Sequence, residues 1–219
     1  MSQFLNIQEN GPIVTLTMNE PETRNALTGN TAADEFVSIC NQIDSNKKIK
    51  AVIITGNGTA FSAGGNLKDM KKMLDDDLSS ELIRESYRQG IQRIPLALYN
   101  LEVPTIAAVN GPAIGAGCDL ACMCDMRIAS HNASFAESFV KIGIIPGDGG
   151  AWFLPRVVGM SKAAEMSFTG DSVDAEEALK IGLISQLTTP ETLLAEANSL
   201  AERISANPSL VLRMTKKLL

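Results

Sequence analysis

The chain has 219 residues, 45% hydrophobic and 20% charged and without a low-complexity tract, which marks a globular protein with one sizeable core and at most a small appendage. A formal net charge of -6 gives no overall basic field, which argues against a nucleic-acid partner while allowing a small basic pocket for one anionic ligand. The opening "MSQFLNIQEN" lacks the basic and apolar regions of a leader, and no apolar run approaches the roughly 20 residues that span a bilayer. The expectation is a soluble, cytoplasmic protein with no membrane insertion.

In chain order, "FLNIQENGPIVTLTMN" predicts a β-hairpin: Asn10-Gly11 is a turn signal, and Val14, Leu16 and Met18 alternate with Thr15 and Thr17. A helix is predicted from about Thr28, with Ala33, Phe36, Val37, Cys40 and Ile43 on one face. "KAVIITGNG" is a continuous apolar run stopped by glycines, the pattern of a strand buried on both faces. "TAFSAGGNLKDM" reads as a loop, followed by one charged helix whose stripe is Leu82, Ile83, Tyr87, Ile91 and Ile94. "PTIAAVNG" is a second buried strand, and the helix between the two runs implies a βαβ crossover and a parallel sheet. "RIAS" and "ASFA" are short strands, and "KIGIIPGDGGAWFLPRVVG" is a glycine-rich connection. From Ser161 the chain turns helical, with cap signals at Ser161, at Asp174 and at Pro190 ahead of Glu191.

Both buried runs end in small-residue loops, "TGNGTAFSAGGN" and "NGPAIGAGCD". Ligands of open parallel sheets sit beyond the carboxyl ends of the strands, so the two loops face one crevice. Glycine and alanine let a ligand approach the backbone, and a helix starting near Ala116 points free N–H groups outward. The pair therefore suits a two-donor oxyanion hole. Other chemistries fit poorly. The third glycine of a dinucleotide fingerprint would fall on Leu120, no GK[ST] completes a phosphate loop, and the only histidine, His131, has no nucleophile elbow to serve. Cys118, Cys122 and Cys124 lack the spacing of a zinc site and read, with Cys40, as buried free thiols, so no metal is expected.

Taken together, "PETRNAL", "GNGTAFSAGGNLKDM", "VPTIAAVNGPAIGAGCDLACMCDMRIAS", "IGIIPGDGG" and "LPRVVGMSKAAEMSFTG" resemble the enoyl-CoA hydratase/isomerase (crotonase) superfamily, in the family's order over nearly the whole chain. The resemblance implies an α/β fold, a spiral of ββα units over residues 1–188 with a C-terminal helical segment over 189–219. It also implies assembly as a homotrimer or dimer of trimers around an acyl-CoA thioester, with no separate cofactor because coenzyme A enters as part of the substrate. The oxyanion donors it assigns are the N–H groups of Gly65 and Ala116, and the coenzyme A contacts fall to Arg24, Ala26, Ala63 and Lys68. Met70, Met73, Leu74 and Trp152 are candidates to line the acyl pocket.

Hydratases of the family flank the double bond with two glutamates. The first position matches Asp119, whereas the second falls on Phe139, which transfers no proton. Asp148 stands where several isomerases and a dehalogenase of the superfamily carry a working carboxylate, which makes Asp119 with Asp148 the preferred acid/base pair. Glu137, two residues before Phe139 and on the same face if the segment is extended, is the third candidate. Structural roles compete: Asp119 as a helix cap, Asp148 as a turn residue or N-cap, Glu137 as a surface strand residue. A working acid should have its pKa raised by burial beside Phe139, Ile142 and Trp152. Double-bond migration or hydration of an enoyl-CoA is the expected reaction. The alternatives are decarboxylation, dehalogenation or ring isomerisation on the same scaffold, or acyl-CoA binding without turnover. Family members run on past "NPSLVLRMTKKLL", so the resemblance implies a tail cut short at Leu219.

Overall fold

Residues 51–54 and 105–109 have no exposed side chain, which leaves both runs no place but the centre of a sheet. The computed structural model describes residues 3–75 and 78–219, and the side chains of residues 72–77, among them Met73 and Leu74, lie outside the described part. Strands β1 (Leu5–Asn10) and β2 (Ile13–Met18) form the expected antiparallel hairpin. β2 continues in parallel to β3 (Ala51–Gly56), then β4 (Thr105–Val109), β6 (Met126–Ser130) and β9 (Gln186–Thr188), giving a six-stranded sheet in the order β1-β2-β3-β4-β6-β9. A three-stranded sheet is built from β5 (Ala113–Ile114), β7 (Ser134–Ala136) and β8 (Val173–Asp174). The chain alternates between the sheets, β4 to β5 and β6 to β7, which is the α/β spiral read from the sequence.

Helices cover both faces of the large sheet. α1 (Ala32–Ser45) buries Phe36, Ile39, Cys40 and Ile43, the i, i+3, i+4, i+7 face of an amphipathic helix, against one side. It starts four residues later than predicted, because Gly29 takes φ +79° and Asn30 Oδ1 accepts from the Ala32 N–H at 3.1 Å, closing a turn ahead of the helix. On the opposite face α9 (Leu193–Ser205) lays Leu193, Ala197 and Ala201 over Ile53, Ile106 and Ile128. Alanines at that spacing let the helix sit close to the sheet.

The single charged helix expected between β3 and β4 is instead three: α2 (Leu67–Asp75), α3 (Ser80–Gln89) and α4 (Arg93–Asn100). Gly90, with ψ -115°, breaks the stripe after α3, and α2 begins inside the segment read as a loop. Beyond β7 the chain makes a 3-10 turn over Ser138–Ile142, then α6 (Gly150–Val158), α7 (Met160–Thr169) and α8 (Ala175–Lys180). Asp174 caps α8, its Oδ1 accepting from the Glu177 N–H at 2.8 Å, whereas the residue that caps α7 is Gly159 and not Ser161. α9 is entered through Thr192 rather than Glu191. No helix among the described residues is long and apolar enough to cross a membrane.

α10 (Ser209–Leu218) closes the described chain and is fastened by one buried cation. Arg213 is 4% exposed; its Nη2 donates to the carbonyls of Asn46 (3.2 Å), Ile43 (3.4 Å) and Ile49 (3.4 Å), and its Nη1 pairs with Asp44 at 3.2 Å and Glu102 at 3.5 Å. The guanidinium adds a second donor to the Ile43 and Asn46 carbonyls, which already accept from the Asn46 and Ile49 N–H groups, and complements the dipole of α1. Arg213→Ala removes these bonds together with both ion pairs, and since Asp44 and Glu102 retain access to water the cost should be about 2–3 kcal/mol. Urea unfolding of the two proteins measures it; a loss under about 0.5 kcal/mol would reduce the contact to a surface interaction.

Candidate functional site

β3 and β4 are hydrogen-bonded neighbours, with Val52 opposite Thr105 and Thr55 opposite Ala108, so the loops that leave their carboxyl ends meet. They are laced backbone to backbone: Phe61 and Ser62 N–H donate to the Pro112 carbonyl at 3.1 and 3.2 Å, and the Ile114 N–H returns a bond to the Ser62 carbonyl at 3.0 Å. The approach is so close that only glycine fits at three points, one of them Gly111, where a Cβ would overlap the Thr59 carbonyl. A Cβ on Gly64, which has φ +81°, would stand 3.0 Å from the Ala116 nitrogen and overlap the Ile114 carbonyl, and one on Gly117 would overlap the Ser62 carbonyl.

A third segment locks the pair. Asn25 is fully buried, holds φ +56°, and donates its side-chain amide to the carbonyls of Asn57 (3.0 Å), Ala60 (3.0 Å) and Phe61 (3.2 Å). Its own carbonyl accepts from Ser62 Oγ at 2.7 Å. Left-handed backbone costs a non-glycine residue on the order of 1 kcal/mol, least for asparagine, and the clasp offsets it. The sequence reading passed over Asn25; the signal was an asparagine, the residue that best tolerates this conformation, inside "TRNAL".

The lacing leaves Gly65 and Ala116 side by side with their N–H groups unused: neither donates to any described residue. Ala116 is the first residue of α5 (Ala116–Met123), after Gly115 at φ +54°, so its N–H is one of the orphaned donors of a helix start. Arg24, Ala26 and Ala63 gather on the Gly65 side, where the Ala63 N–H donates to the Arg24 carbonyl at 2.8 Å. The Arg24 and Lys68 side chains are exposed, as groups that meet a soluble anion must be, and Ala26 is buried.

Asp119, Glu137 and Asp148 come together behind this edge, at 0%, 1% and 4% exposure. Asp119 does not cap α5, and Asp148 does not cap α6, whose N-cap is Gly149 without a side-chain bond. Glu137 is no surface residue either. The condition that would put it on one face with Phe139 fails, because the strand ends at Ala136 and the 3-10 turn at Ser138 sends Phe139 toward Gly115, 3.6 Å from where a Cβ there would stand. Gly150, in the first turn of α6, admits the Asp119 carboxyl: a Cβ there would overlap it.

Both oxygens of Asp119 and of Glu137, and Asp148 Oδ1, accept no hydrogen bond from a described donor. Carboxylates alone cannot satisfy one another; carboxyls sharing protons can. Burial, then the charges of Asp148 and Glu137, push Asp119 well above the usual carboxylate range. Burial raises Glu137 and Asp148 too, with the neighbouring Asp119 opposing both shifts. Of the residues expected beside the acids, Ile142 is 46% exposed, whereas Trp152, 52% exposed, lines a cavity with Asp148; Asp119 itself is shut in by Gly150 and the buried α5.

A cavity of about 440 Å³ opens beside Gly65, lined by Leu27, Thr28, Ala33, Met70, Tyr87 and Ile91. Met70 Cε lies against Gly65, so the cavity mouth adjoins the oxyanion edge. Burial and then the Asp148 charge raise the Tyr87 phenol. Trp152 instead lines a second cavity of about 440 Å³ with Asp148, Pro95 and Leu96. A larger groove of about 570 Å³, by Cys124, Asp125, Arg127 and Lys216, is lined by neither Gly65 nor Ala116 and by none of Asp119, Glu137 and Asp148. All four cysteines are free and buried, and no group of three or more His, Cys, Asp or Glu among the described residues is arranged to hold a metal ion.

A family model described as "Enoyl-CoA hydratase/isomerase" matches residues 8–219. The chain is 36% identical over 212 residues to the short-chain-enoyl-CoA hydratase of Clostridium acetobutylicum, a match covering 96% of this chain and 78% of that protein. Among solved structures, an enoyl-CoA hydratase from Bacillus anthracis gives a TM-score of 0.90 at 31% identity, over 98% of this chain and 81% of its own. DspI of Pseudomonas aeruginosa gives 0.91 at 29%, over 99% and 80%.

A carboxyl whose folded pKa lies above its unfolded value contributes stability at low pH and loses it as pH rises from the unfolded pKa, 3.8 for Asp119, through the folded one. Wild type should therefore lose stability relative to Asp119→Asn as pH is raised from about 4 to about 8. Urea midpoints across that range check it, and parallel curves would show Asp119 to be ionised without cost.

Proposed function

Because the chain belongs to the enoyl-CoA hydratase/isomerase family, we propose that it binds an unsaturated acyl-CoA thioester and moves its double bond through an enolate. The observation that carries this reading is the pair of unused N–H groups, Gly65 and Ala116, on laced loops, with the buried carboxyls of Asp119, Glu137 and Asp148 behind them. The thioester oxygen accepts from both N–H groups. Asp148, ionised, takes a proton from the carbon chain; the electron pair of that C–H bond becomes part of the enolate, whose negative charge rests on the thioester oxygen. The proton returns at another carbon, the double bond migrates, and no water is consumed. Asp119, protonated beside Asp148, keeps that carboxyl's basicity near the range that proton transfer needs.

Arg24 and Lys68, both exposed, meet the phosphates of coenzyme A, with Ala26 and Ala63 along the pantetheine arm, and the cavity at Met70 and Tyr87 takes the acyl chain. No cofactor is needed, coenzyme A being part of the substrate. The working unit in this reading is a homotrimer or dimer of trimers in the cytoplasm, with residues 1–188 as core and 189–219 as a helical segment. Hydration is the second reading, favoured by the burial of Glu137 beside Asp119, which supplies a second acid where Phe139 cannot.

Incubation with 2-enoyl- and 3-enoyl-CoA thioesters in heavy water separates the two by product mass: deuterium gain with bond migration supports the isomerase, gain of a deuterated water the hydratase through Glu137, and no change with any thioester removes both. The oxyanion hole is tested by Ala116→Pro. Proline is tolerated at the first position of a helix but has no N–H, so kcat should fall about 10²–10³-fold with the fold retained. Unchanged turnover in a folded variant would take Ala116 out of the mechanism.

A further inference from the structure

The Asp148 segment has little of its own to stand on. Gly147 and Gly149 flank the acid, Gly149 at φ +116°, and among the described residues one hydrogen bond reaches the backbone of residues 145–148 from outside: Gln92 Nε2 donates to the Gly147 carbonyl at 2.6 Å. Gln92 lies in the two-residue link between the Gly90 break and α4, half-buried, and shares a cavity wall with Asp148. Its own N–H donates to the Tyr87 carbonyl at 3.0 Å. Tyr87, Gly90 and Ile91 line the cavity that opens beside Gly65. One residue thus bonds at one end to the wall of that cavity and at the other to the carbonyl next to the acid.

We infer that Gln92 is a positioning residue that couples the acyl cavity to Asp148: a chain filling the cavity presses on Tyr87 and Ile91, and the Gln92 amide carries that placement to the Gly147 carbonyl and so to the Asp148 carboxyl. This rests on the reading of Asp148 as the proton-moving acid. Such coupling gives a flexible, glycine-flanked acid a fixed position when an acyl chain is present, and proton transfer is steep in distance. It also accounts for the helix break at Gly90, since an unbroken helix would carry residue 92 along the α3 axis and leave no link to turn toward Gly147.

The test is Gln92→Met, which keeps the length of the side chain and removes its N–H donors. Expected is a fall in kcat of about tenfold with KM within about twofold, because the acyl cavity and the coenzyme A contacts are untouched. In an Asp148→Asn background the same substitution should cost nothing further. A loss in KM alone, an equal loss in both backgrounds, or wild-type kcat overturns the inference. A readout without turnover runs beside it: hydrogen exchange of the peptide spanning residues 144–152, with and without a non-reactive acyl-CoA. Wild type should gain protection there on binding and Gln92→Met should not; the same gain in both, or none in either, overturns the coupling. If wild type turns over no thioester yet shows the Gln92-dependent protection, the proposed reaction fails while the coupling stands.

Discussion

The site depends on the backbone contact between the loops that follow β3 and β4. Neighbouring parallel strands end at the same edge of a sheet, so their loops have to meet; what is unusual is that they meet at main-chain distance. That distance is set by absent side chains, at Gly64 and Gly117, and held by present ones, Asn25 and Ser62. Once Ser62 and Ile114 are bonded, the N–H groups of Gly65 and Ala116 have no internal partner left to take. Two buried or half-buried donors without partners are unfavourable for the folded chain alone and favourable for a chain that binds an oxygen developing charge.

The carboxyl cluster follows a similar logic on the acidic side. Asp119 comes from the first turn of α5, Glu137 from the end of β7 and Asp148 from the segment before α6, three places that no local interaction unites. They converge because β5 and β7 pair in the small sheet and because Gly150 leaves room for the Asp119 carboxyl. Three ionised carboxylates in that space would repel one another, which is why burial and mutual charge both push Asp119 upward.

Much of this was legible in the chain because it is local. A run such as "AVIIT" has one physical home, and glycines directly after it can be read as a loop built for close approach. The free N–H of Ala116 follows from its place at a helix start, which the sequence marks. What could not be read depends on pairings distant in sequence. Glu137 looks like a surface strand residue until the 3-10 turn at Ser138 is known to end the strand, and that turn shows no local signal in "SFVKI". The continuous stripe from Leu82 to Ile94 hid the break at Gly90, since a glycine within an apolar period is compatible with either outcome. Ile142, expected to shield the acids, is 46% exposed, because nearness to an acid in sequence is not burial against it in space.

Strand polarity also separates what holds the molecule from what it does. The carboxyl ends of β3 and β4 carry the oxyanion loops, whereas α10 is fastened at the other end: Lys216 pairs with Asp125 at 2.8 Å and donates to the Val103 carbonyl at 3.1 Å, just before β4, and Arg213 sits on the carbonyls of residues 43–49, just before β3. Each strand is thus clamped at its start, β3 by the buried Arg213 and β4 by the half-buried Lys216, and left with unsatisfied N–H groups beyond its end. The parallel run from β2 to β9 makes this division possible, since its strands all start on one edge and end on the other. The loops can therefore keep donors unpaired without being the place where the fold is secured, a task that α10 carries out at the opposite edge.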